Sequence, residues 1–271
     1  MKYLLFILLF IIGTILWARF IGTKGLVVKE YSLINNKIPD NFSGMKIVHF
    51  SDLHYGSTIH EAQVTNLVKK INELKPDIVV FTGDLIDKDY FNSQKDIAFI
   101  TDSLKNIEAR LGKFAVIGNH DYGYTEFEII MENSDFIFLN NMSQKIFFND
   151  ITPIVITGVT SLLQSTPNYD EILSDTDPEY YHILLAHEPD ILNKLKSYSI
   201  DLMLSGHTHG GQVRLPFVGT IVTAAGGKIY YEEKYKVGNT DLFISSGIGT
   251  STLKFRLFNK PSINLYRLYK Q

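Results

Sequence analysis

The sequence lacks cysteine altogether, and this absence limits its chemistry. No disulfide can form, a phosphate-accepting thiolate is excluded, and any bound metal must take oxygen and nitrogen ligands. A basic field is missing too, because the net charge is −3 and charges of both signs are interspersed. The composition therefore argues against duplex nucleic acid as the main partner. Internal repeats and low-complexity tracts are also lacking, which is typical of an ordinary globular chain.

One long apolar run is present near the start of the chain. Sixteen uncharged, mostly apolar residues lie between Lys2 and Arg19. At about 1.5 Å per residue they span about 24 Å, and snorkelling by the two flanking charges extends this towards the roughly 30 Å bilayer core. We predict a transmembrane signal-anchor over residues 1–22 that places the protein at the cell membrane.

Two alternatives to the anchor are a cleaved signal peptide and a buried core helix. A convincing A-x-A-like cleavage site is missing, and a core helix usually keeps a polar face. The flanking positive charges nearly balance, with Lys2 and the amino terminus on one side and Arg19, Lys24 and Lys29 on the other. The sequence therefore predicts no particular side of the membrane for the rest of the chain.

The remainder of the sequence predicts a polar linker over residues 23–44 and one domain over 45–271. Strands are predicted over 45–50, 78–82, 114–117, 146–148, 154–158, 182–186 and 202–204, with mainly β structure after 213. An amphipathic helix, capped by a Thr58–Glu61 box and ended by Pro76, and a second helix over 93–109 separate the first strands. This order predicts an α/β fold in which a two-sheet β-sandwich is flanked by helices and ligands collect at strand ends.

Five clusters of metal-ligating side chains follow the predicted strands. Each alone has an ordinary explanation, since Gly-Asp is a common turn and Asn-His-Asp suits a helix cap. Together they supply carboxylates, one amide oxygen and several imidazoles, which is the ligand set of two adjacent divalent cations. The clusters are Asp52-Leu53-His54, Gly83-Asp84, Gly118-Asn119-His120-Asp121, His187 and Gly206-His207-Thr208-His209.

This ligand set predicts hydrolysis of phosphoesters. In two-metal sites the ions lie about 3.5–4 Å apart and polarise a bridging water into the hydroxide that attacks phosphorus. His120 remains after the ligands are assigned, and we expect it to protonate the leaving oxygen or to stabilise the transferring phosphoryl group. Asp121 or another carboxylate would then fix the tautomer of His120.

The five clusters resemble the calcineurin-like metallophosphoesterase family, whose pattern is D-x-H, G-D, G-N-H-[DE], H and G-H-x-H. The resemblance covers about residues 45–250 and implies a two-sheet α/β sandwich with His120 as the catalytic histidine. It leaves the metal open among Mn²⁺, Fe and Zn²⁺. The implied ligands are Asp52, His54, Asp84 and His209 for one ion, and Asp84, Asn119, His187 and His207 for the other.

Two glycine-rich runs, 206–213 and 246–250, are similar to a bacterial, membrane-anchored subgroup of that family. Some members resemble enzymes acting on UDP-diacylglucosamine or related lipid-linked diphosphates, which implies a lipid-linked substrate. The alternatives are a general phosphodiesterase acting on soluble or cell-wall phosphoesters, a nuclease, and a non-catalytic binding scaffold.

Four further assignments concern the surroundings of the site. Arg214 is a candidate ligand for a second phosphate or a substrate headgroup, with a surface salt bridge as the alternative. Tyr122 and Tyr124 are expected either to line the substrate entrance or to serve in packing. Residues 253–258 are predicted to form a half-buried strand, or alternatively a lip that meets lipid.

Overall fold

The computed structural model describes residues 2–87, 93–123, 125–173 and 177–271. Within these residues the chain forms five α-helices, two short 3-10 helices (Asp40–Phe42 and Pro189–Lys194) and fourteen strands. The helices are α1 (Lys2–Phe20), α2 (Glu61–Leu74), α3 (Gln94–Lys105), α4 (Thr125–Asn133) and α5 (Tyr169–Leu173). The strands are β1 (Val27–Asn35), β2 (Lys46–Phe50), β3 (Ile78–Phe81), β4 (Gly112–Ala115), β5 (Phe136–Phe138), β6 (Met142–Ile146), β7 (Ile154–Gly158), β8 (Tyr181–Leu185), β9 (Leu202–Ser205), β10 (Arg214–Leu215), β11 (Gly219–Thr220), β12 (Lys234–Val237), β13 (Thr240–Ile244) and β14 (Ser262–Lys270).

Two six-stranded sheets carry the described part of the domain. The first has the order β1-β14-β2-β3-β4-β5, and the second has the order β12-β13-β9-β8-β7-β6. In each sheet the central strands run parallel, β2 to β5 in the first and β7, β8, β9 and β13 in the second. Parallel strands end on one side of a sheet, so the loops that follow them collect there.

The two sheets share one hydrophobic core, which confirms the predicted sandwich. Side chains of β2, β3 and β4 pack there against side chains of β7, β8 and β9. Helices α2, α3 and α4 cover the outer face of the first sheet, and they do so through their apolar stripes. The central strands are buried on both faces, which explains their nearly continuous runs of apolar residues.

The prediction of a polar linker over residues 23–44 is wrong, because part of this segment is a strand. Strand β1 lies within it and pairs in parallel with β14 along its whole length, from Val27 with Ser262 to Asn35 with Lys270. Ile38 and Phe42, which follow, are fully buried. Most residues of the strand are alternately exposed and half-buried, because it forms the edge of its sheet. This alternation gives the segment the appearance of a polar linker in the sequence.

Two local predictions are also wrong. Helix α2 starts at Glu61 with His60 as its N-cap, and Gln63 rather than Glu61 completes the capping box. Residues 253–258 form an irregular segment with one bridge, from Leu257 to Val213. Arg256, which lies within the predicted half-buried strand, is fully buried.

Helix α1 stands apart from the core. Among the described residues it is the one helix long and apolar enough to cross a membrane, by length and composition, and only 6% of its most apolar window is buried. This exposure contradicts the core-helix alternative. Its end contacts the domain, since the Ala18 carbonyl accepts a hydrogen bond from the Arg256 amide at 3.0 Å. Gly22 follows so closely that a Cβ there would lie 2.1 Å from the Arg256 carbonyl oxygen.

We expect two amino-terminal truncations to differ sharply in stability. Deletion of residues 1–22 removes little buried surface and should leave a cooperatively folded protein. Deletion of residues 1–44 also removes β1 and the buried Leu33, Ile38 and Phe42. Each such side chain contributes about 1.5–3 kcal/mol, against a total stability of roughly 5–15 kcal/mol. Thermal unfolding followed by circular dichroism would check this, and equal transitions in the two fragments would contradict the role of β1.

Candidate metal centre

The predicted ligand clusters lie where the central strands of both sheets end. Asp52 and His54 follow β2, Asp84 follows β3, His187 follows β8, and His207 and His209 follow β9. Five of these residues have a left-handed backbone, with φ between 44° and 67°: Asp52, His54, Asp84, His207 and His209. This conformation is uncommon for residues other than glycine, and it clusters at functional sites.

The ligand atoms of three residue groups converge. Within each group these atoms lie within 4.8 Å of one another, and the groups are Asp52, His54 and His209; Asp52, Asp84 and His187; and His187, Glu188 and His207. Asp84 Oδ2 stands between two imidazoles, 3.5 Å from His54 Nε2 and 3.2 Å from His187 Nε2. Asp84 therefore lies where one carboxylate can serve two cations.

Three imidazole nitrogens fit a metal centre because each forms no hydrogen bond within the described residues and lies 3.2–3.5 Å from a carboxylate oxygen. The Nε2 atoms of His54, His187 and His209 are buried and accept or donate no hydrogen bond within the described residues. Leaving a polar atom buried and unpaired costs free energy, so such atoms are rare in native proteins. A cation between these nitrogens and the carboxylates of Asp52 and Asp84 would satisfy all three.

Hydrogen bonds on the far side of two rings set their tautomers. His187 Nδ1 lies 2.6 Å from the Thr82 carbonyl, and His207 Nε2 lies 2.6 Å from the Ala225 carbonyl. A carbonyl only accepts, so each of these nitrogens carries the proton and the other nitrogen of each neutral ring presents a lone pair. His207 Nδ1 then lies 2.9 Å from Asn119 Oδ1, and both atoms are hydrogen-bond acceptors. Two acceptors this close together are expected where both bind one cation.

The electrostatics of the site favour neutral imidazole ligands at most positions. Burial lowers the pKa of His54 to about 4, and burial together with the Arg256 charge holds the pKa of His209 well below its usual range. Burial also raises the pKa of Asp52 to about 7, although His187 counteracts this.

Asp84 and His187 form a mutually stabilised pair. Burial alone would raise the carboxyl pKa, but the neighbouring imidazoles, His187 first, hold the pKa of Asp84 well below its usual range. Burial would likewise lower the imidazole pKa, yet Asp84 and Asp52 raise the pKa of His187 well above its usual range. The raised pKa of His187 means that its ring holds a proton beside Asp84. A divalent cation would supply the positive charge in place of that proton.

His120 lies beside the converging ligands. Its backbone amide donates to Asp84 Oδ1 at 2.8 Å, and its ring stands edge-on to the His54 ring at a centroid distance of 5.0 Å. The side chain is half-buried, which leaves it access to a substrate. The catalytic role of His120 stays a prediction.

Asp121 does not contact the His120 ring, contrary to one expectation from the sequence. Its carboxylate accepts from four backbone amides, those of Asp84 at 2.7 Å, Leu85 at 2.8 Å, Gly118 at 3.0 Å and Ile86 at 3.4 Å. Asp121 thus joins the loop after β3 to the loop after β4. Gly118 permits this close approach, because a Cβ there would lie 2.2 Å from Asp84 Oδ1.

The two predicted substrate residues have different surroundings. Tyr122 is exposed and lines a cleft of about 220 Å³ next to the loop that carries Asn119 and His120. Arg214 donates to the Gly210 carbonyl at 2.8 Å and forms an ion pair with Glu232. Arg214 therefore forms the salt bridge that the sequence left as the alternative. Tyr124 lies outside the described residues.

Two residues of the site were not singled out from the sequence. Arg256 is fully buried, and its Nη2 lies 3.2 Å from His209 Nδ1 while donating to the carbonyls of Gly247 and Gly249. Glu188 is buried next to His187 and His207 and accepts from Ser161 and Leu162. Its position directly after His187 was the available signal, whereas nothing local marks the burial of Arg256.

Comparison with known proteins decides the family. Residues 45–211 match the family model of the calcineurin-like phosphoesterases. The chain belongs to this family. Calcineurin-like phosphoesterases depend on a dinuclear metal centre, and this protein is accordingly a metal-dependent phosphoester hydrolase.

Relatives extend over nearly the whole chain. It is 35% identical over 256 residues to the uncharacterized metallophosphoesterase YkuE of Bacillus subtilis, covering 93% of this chain and 88% of that protein. It is 27% identical over 315 residues to UDP-2,3-diacylglucosamine pyrophosphatase LpxG of Chlamydia trachomatis, covering 94% and 92%. Among solved structures, a dimetal phosphatase from Danio rerio is similar with a TM-score of 0.45 and 12% identity, covering 76% of this chain and 88% of that one.

We expect this calcineurin-like phosphoesterase to gain thermal stability from Mn²⁺, because the cations give the three buried Nε2 atoms their missing partners. At a metal concentration of about 100 times Kd the gain is about 2.7 kcal/mol, or roughly 5–11 °C in Tm for a chain of this size. Thermal unfolding with Mn²⁺ and with excess EDTA measures the difference. The Asp84→Asn variant serves as the control and should show a much smaller shift, whereas an identical Tm with and without metal would contradict this interpretation of the site.

Proposed function

We propose that this calcineurin-like phosphoesterase hydrolyses a phosphodiester or diphosphate bond in a lipid-linked substrate at a membrane, and that UDP-diacylglucosamine is a representative of that substrate class. The convergence of buried, unpaired imidazole nitrogens on Asp52 and Asp84 carries the chemical part of this proposal. Similarity to a UDP-2,3-diacylglucosamine pyrophosphatase and the apolar helix α1 support the lipid part.

We assign the ligands of the two cations from the family pattern, and the distances between side chains support that assignment. The unpaired Nε2 atoms and the shared position of Asp84 support one cation on each side of that carboxylate. When bound, the cations supply an activated water nucleophile and electrostatic stabilisation of the phosphoryl oxygens. The assigned ligands are Asp52, His54, Asp84 and His209 on one side, and Asp84, Asn119, His187 and His207 on the other.

His120 then acts on the leaving group. Its backbone amide is fixed to Asp84 Oδ1, so the half-buried ring stands at the edge of the ligand cluster and faces an incoming phosphoester. From that position an imidazole can donate a proton to the departing oxygen, or stabilise negative charge on the phosphoryl group. Asp121 holds both loops in register and thereby keeps His120 at a constant distance from Asp84.

Helix α1 serves as a retained membrane anchor in this proposal. Its exposed apolar surface suits a lipid environment, and Ala18 and Gly22 at its end contact the backbone of Arg256. A cleaved signal peptide would not need such a fitted contact with the mature domain.

A turnover screen tests the substrate class. The full chain, reconstituted in lipid nanodiscs with Mn²⁺, is offered UDP-2,3-diacylglucosamine and the water-soluble diester bis(p-nitrophenyl) phosphate, with the Asp84→Asn variant as the blank. We expect hydrolysis of both and a higher kcat/KM for the acylated nucleotide sugar. Preference for the soluble diester would instead identify a general phosphodiesterase, and no turnover of either substrate would contradict the proposed chemistry.

A further inference from the structure

An exposed apolar surface lies beside the metal centre and serves no purpose in the chemistry described above. It consists of the hairpin formed by β10 and β11, the residues just after it, and one residue of the irregular segment 253–258. We call it the apolar rim, and its members are Leu215, Phe217, Val218, Ile221, Val222 and Phe258. Large apolar side chains grouped on a surface mark contact with a protein or a membrane.

The two apolar residues at the tip of the hairpin are unusually exposed, and one of them has an unusual backbone conformation. Phe217 is fully exposed and Val218 is largely exposed. Phe217 also has a left-handed backbone, with φ of 66°, where glycine or asparagine is the usual residue. A bulky aromatic residue at this position costs conformational energy, and its full exposure means that it buries no surface against the described residues. Such a residue is explained by a partner outside the chain.

The apolar rim is continuous with the end of the anchor. Val213, at the base of the hairpin, forms one hydrophobic cluster with Leu257 and with Ala18 of α1. The Arg214 amide donates to the Leu257 carbonyl at 3.0 Å, so the hairpin starts against the segment on which α1 ends. Four residues span at most about 14 Å, which places Phe217 within that distance of Val213.

Phe258 extends alongside the anchor helix. Its ring lies 6.2 Å from the ring of Trp17, and with Leu257 it borders a groove of about 300 Å³. The opposite wall of that groove is formed by α1 itself, through Phe10, Gly13, Thr14 and Trp17. Phe10 lies about 15 Å from the end of α1 at 1.5 Å per residue. Part of the catalytic domain therefore lies level with the segment that would be embedded in lipid.

The same elements contact the loop that carries His209. Asn259, next to Phe258, donates to the carbonyls of His209 at 2.7 Å, Gly210 at 3.1 Å and Gly211 at 3.0 Å. On the hairpin side, a Cβ at Gly211 would lie 2.1 Å from Thr220 Oγ1, so β11 packs directly on this loop. The apolar rim is thus attached to the metal-ligand loop from two sides.

We propose that the apolar rim inserts into the lipid bilayer beside α1 and holds the metal centre at the membrane surface. Insertion buries Phe217, Val218 and Phe258, and it gives a substrate embedded in the bilayer a short path to the cations. This inference depends on α1 being a retained anchor, but it does not depend on the identity of the substrate.

The bilayer explains the apolar rim better than a second copy of the chain. The rim adjoins α1, whose side chains are exposed nearly all around, and the exposed Phe258 borders one mostly apolar groove with that helix. An interface between copies would have to accommodate the hairpin tip and the membrane segment together. A bilayer accommodates both, because its interface accepts aromatic side chains about 5–10 Å deep.

Quenching by brominated lipid tests the contact directly. Trp17 is the single tryptophan of the chain, so the Trp17→Phe variant has no tryptophan fluorescence. One tryptophan is then introduced into this variant at a chosen position. Phe217→Trp and Phe258→Trp report on the apolar rim. Phe147→Trp is the matched control, because Phe147 is 55% exposed and precedes β7, at the end of the strands opposite the metal centre. Each full-length variant is reconstituted in phosphatidylcholine nanodiscs with and without brominated acyl chains, and circular dichroism confirms its fold.

We expect brominated lipid to reduce the emission of the Phe217→Trp and Phe258→Trp variants and to leave the Phe147→Trp variant unchanged. Emission of Trp17 in the unmodified chain should also fall, which confirms the anchor. Quenching of Trp17 without quenching of the Phe217→Trp variant would overturn the proposal and leave the anchor intact. Emission of the Phe217→Trp variant that depends on protein concentration but not on bromine would assign the rim to a second copy instead. Because no substrate is present, a failure here differs from a failure of the proposed hydrolysis.

Discussion

The Asp84→Asn variant is expected to lose at least about 10³-fold in kcat/KM, because several kcal/mol of metal-dependent stabilisation of the transition state disappear. The substitution keeps the shape of the side chain but removes its charge and one acceptor oxygen. Asp84 Oδ2 faces both His54 and His187, so neither cation keeps its full ligand set. Steady-state kinetics with Mn²⁺, together with metal analysis of the same sample, measure the effect.

Asp102→Asn is the matched control for this change. Asp102 is an exposed residue of α3, so the same loss of one carboxylate there should leave both turnover and metal content unchanged. If Asp84→Asn retained turnover within a few-fold of the unmodified chain, the assignment of Asp84 as the shared ligand would be wrong.

The His120→Ala variant is expected to lose about 10²–10⁴-fold in kcat while keeping both cations, as is usual when a general acid is removed. Metal retention follows from the structure, because His120 contacts Asp84 through its backbone amide rather than its ring. Measuring kcat and metal content on the same preparation separates a catalytic residue from a ligand. A non-catalytic scaffold would show no loss, because it would have no turnover to lose.

The leaving group distinguishes the two roles open to His120. A p-nitrophenolate departs without protonation, whereas an alkoxide needs a proton, so a general acid predicts a smaller loss with p-nitrophenyl esters than with alkyl esters. Equal losses with both esters would instead assign His120 to stabilising the phosphoryl group. Loss of metal in the His120→Ala variant would contradict both roles.

The metal-ligand clusters were predictable because chemistry and topology agree there. Asp52, Asp84 and His187 each follow a strongly apolar run, and such runs form the buried central strands of α/β sheets. Parallel strands end on one side of a sheet, so the sequence order alone brings the clusters together. The family pattern then identified which residue of each cluster faces the site.

The parts that were not predictable depend on contacts between distant segments. Strand β1 forms because β14, more than 200 positions away, offers it an edge, and its own residues look like a polar linker. Arg256 is buried because its guanidinium fits between the carbonyls of Gly247 and Gly249 and the ring of His209. The alternation of Lys254 and Arg256 with apolar neighbours indicated a half-buried strand instead. Asp121 likewise stabilises two loops, which its position beside His120 did not reveal.

The metal content of the purified full-length chain tests the central claim most directly. Elemental analysis after incubation with Mn²⁺ and removal of unbound metal should find two ions per chain. Anomalous scattering from crystals of the same preparation should place one ion on each side of Asp84. A chain that holds no divalent ion under metal-replete conditions would contradict the account.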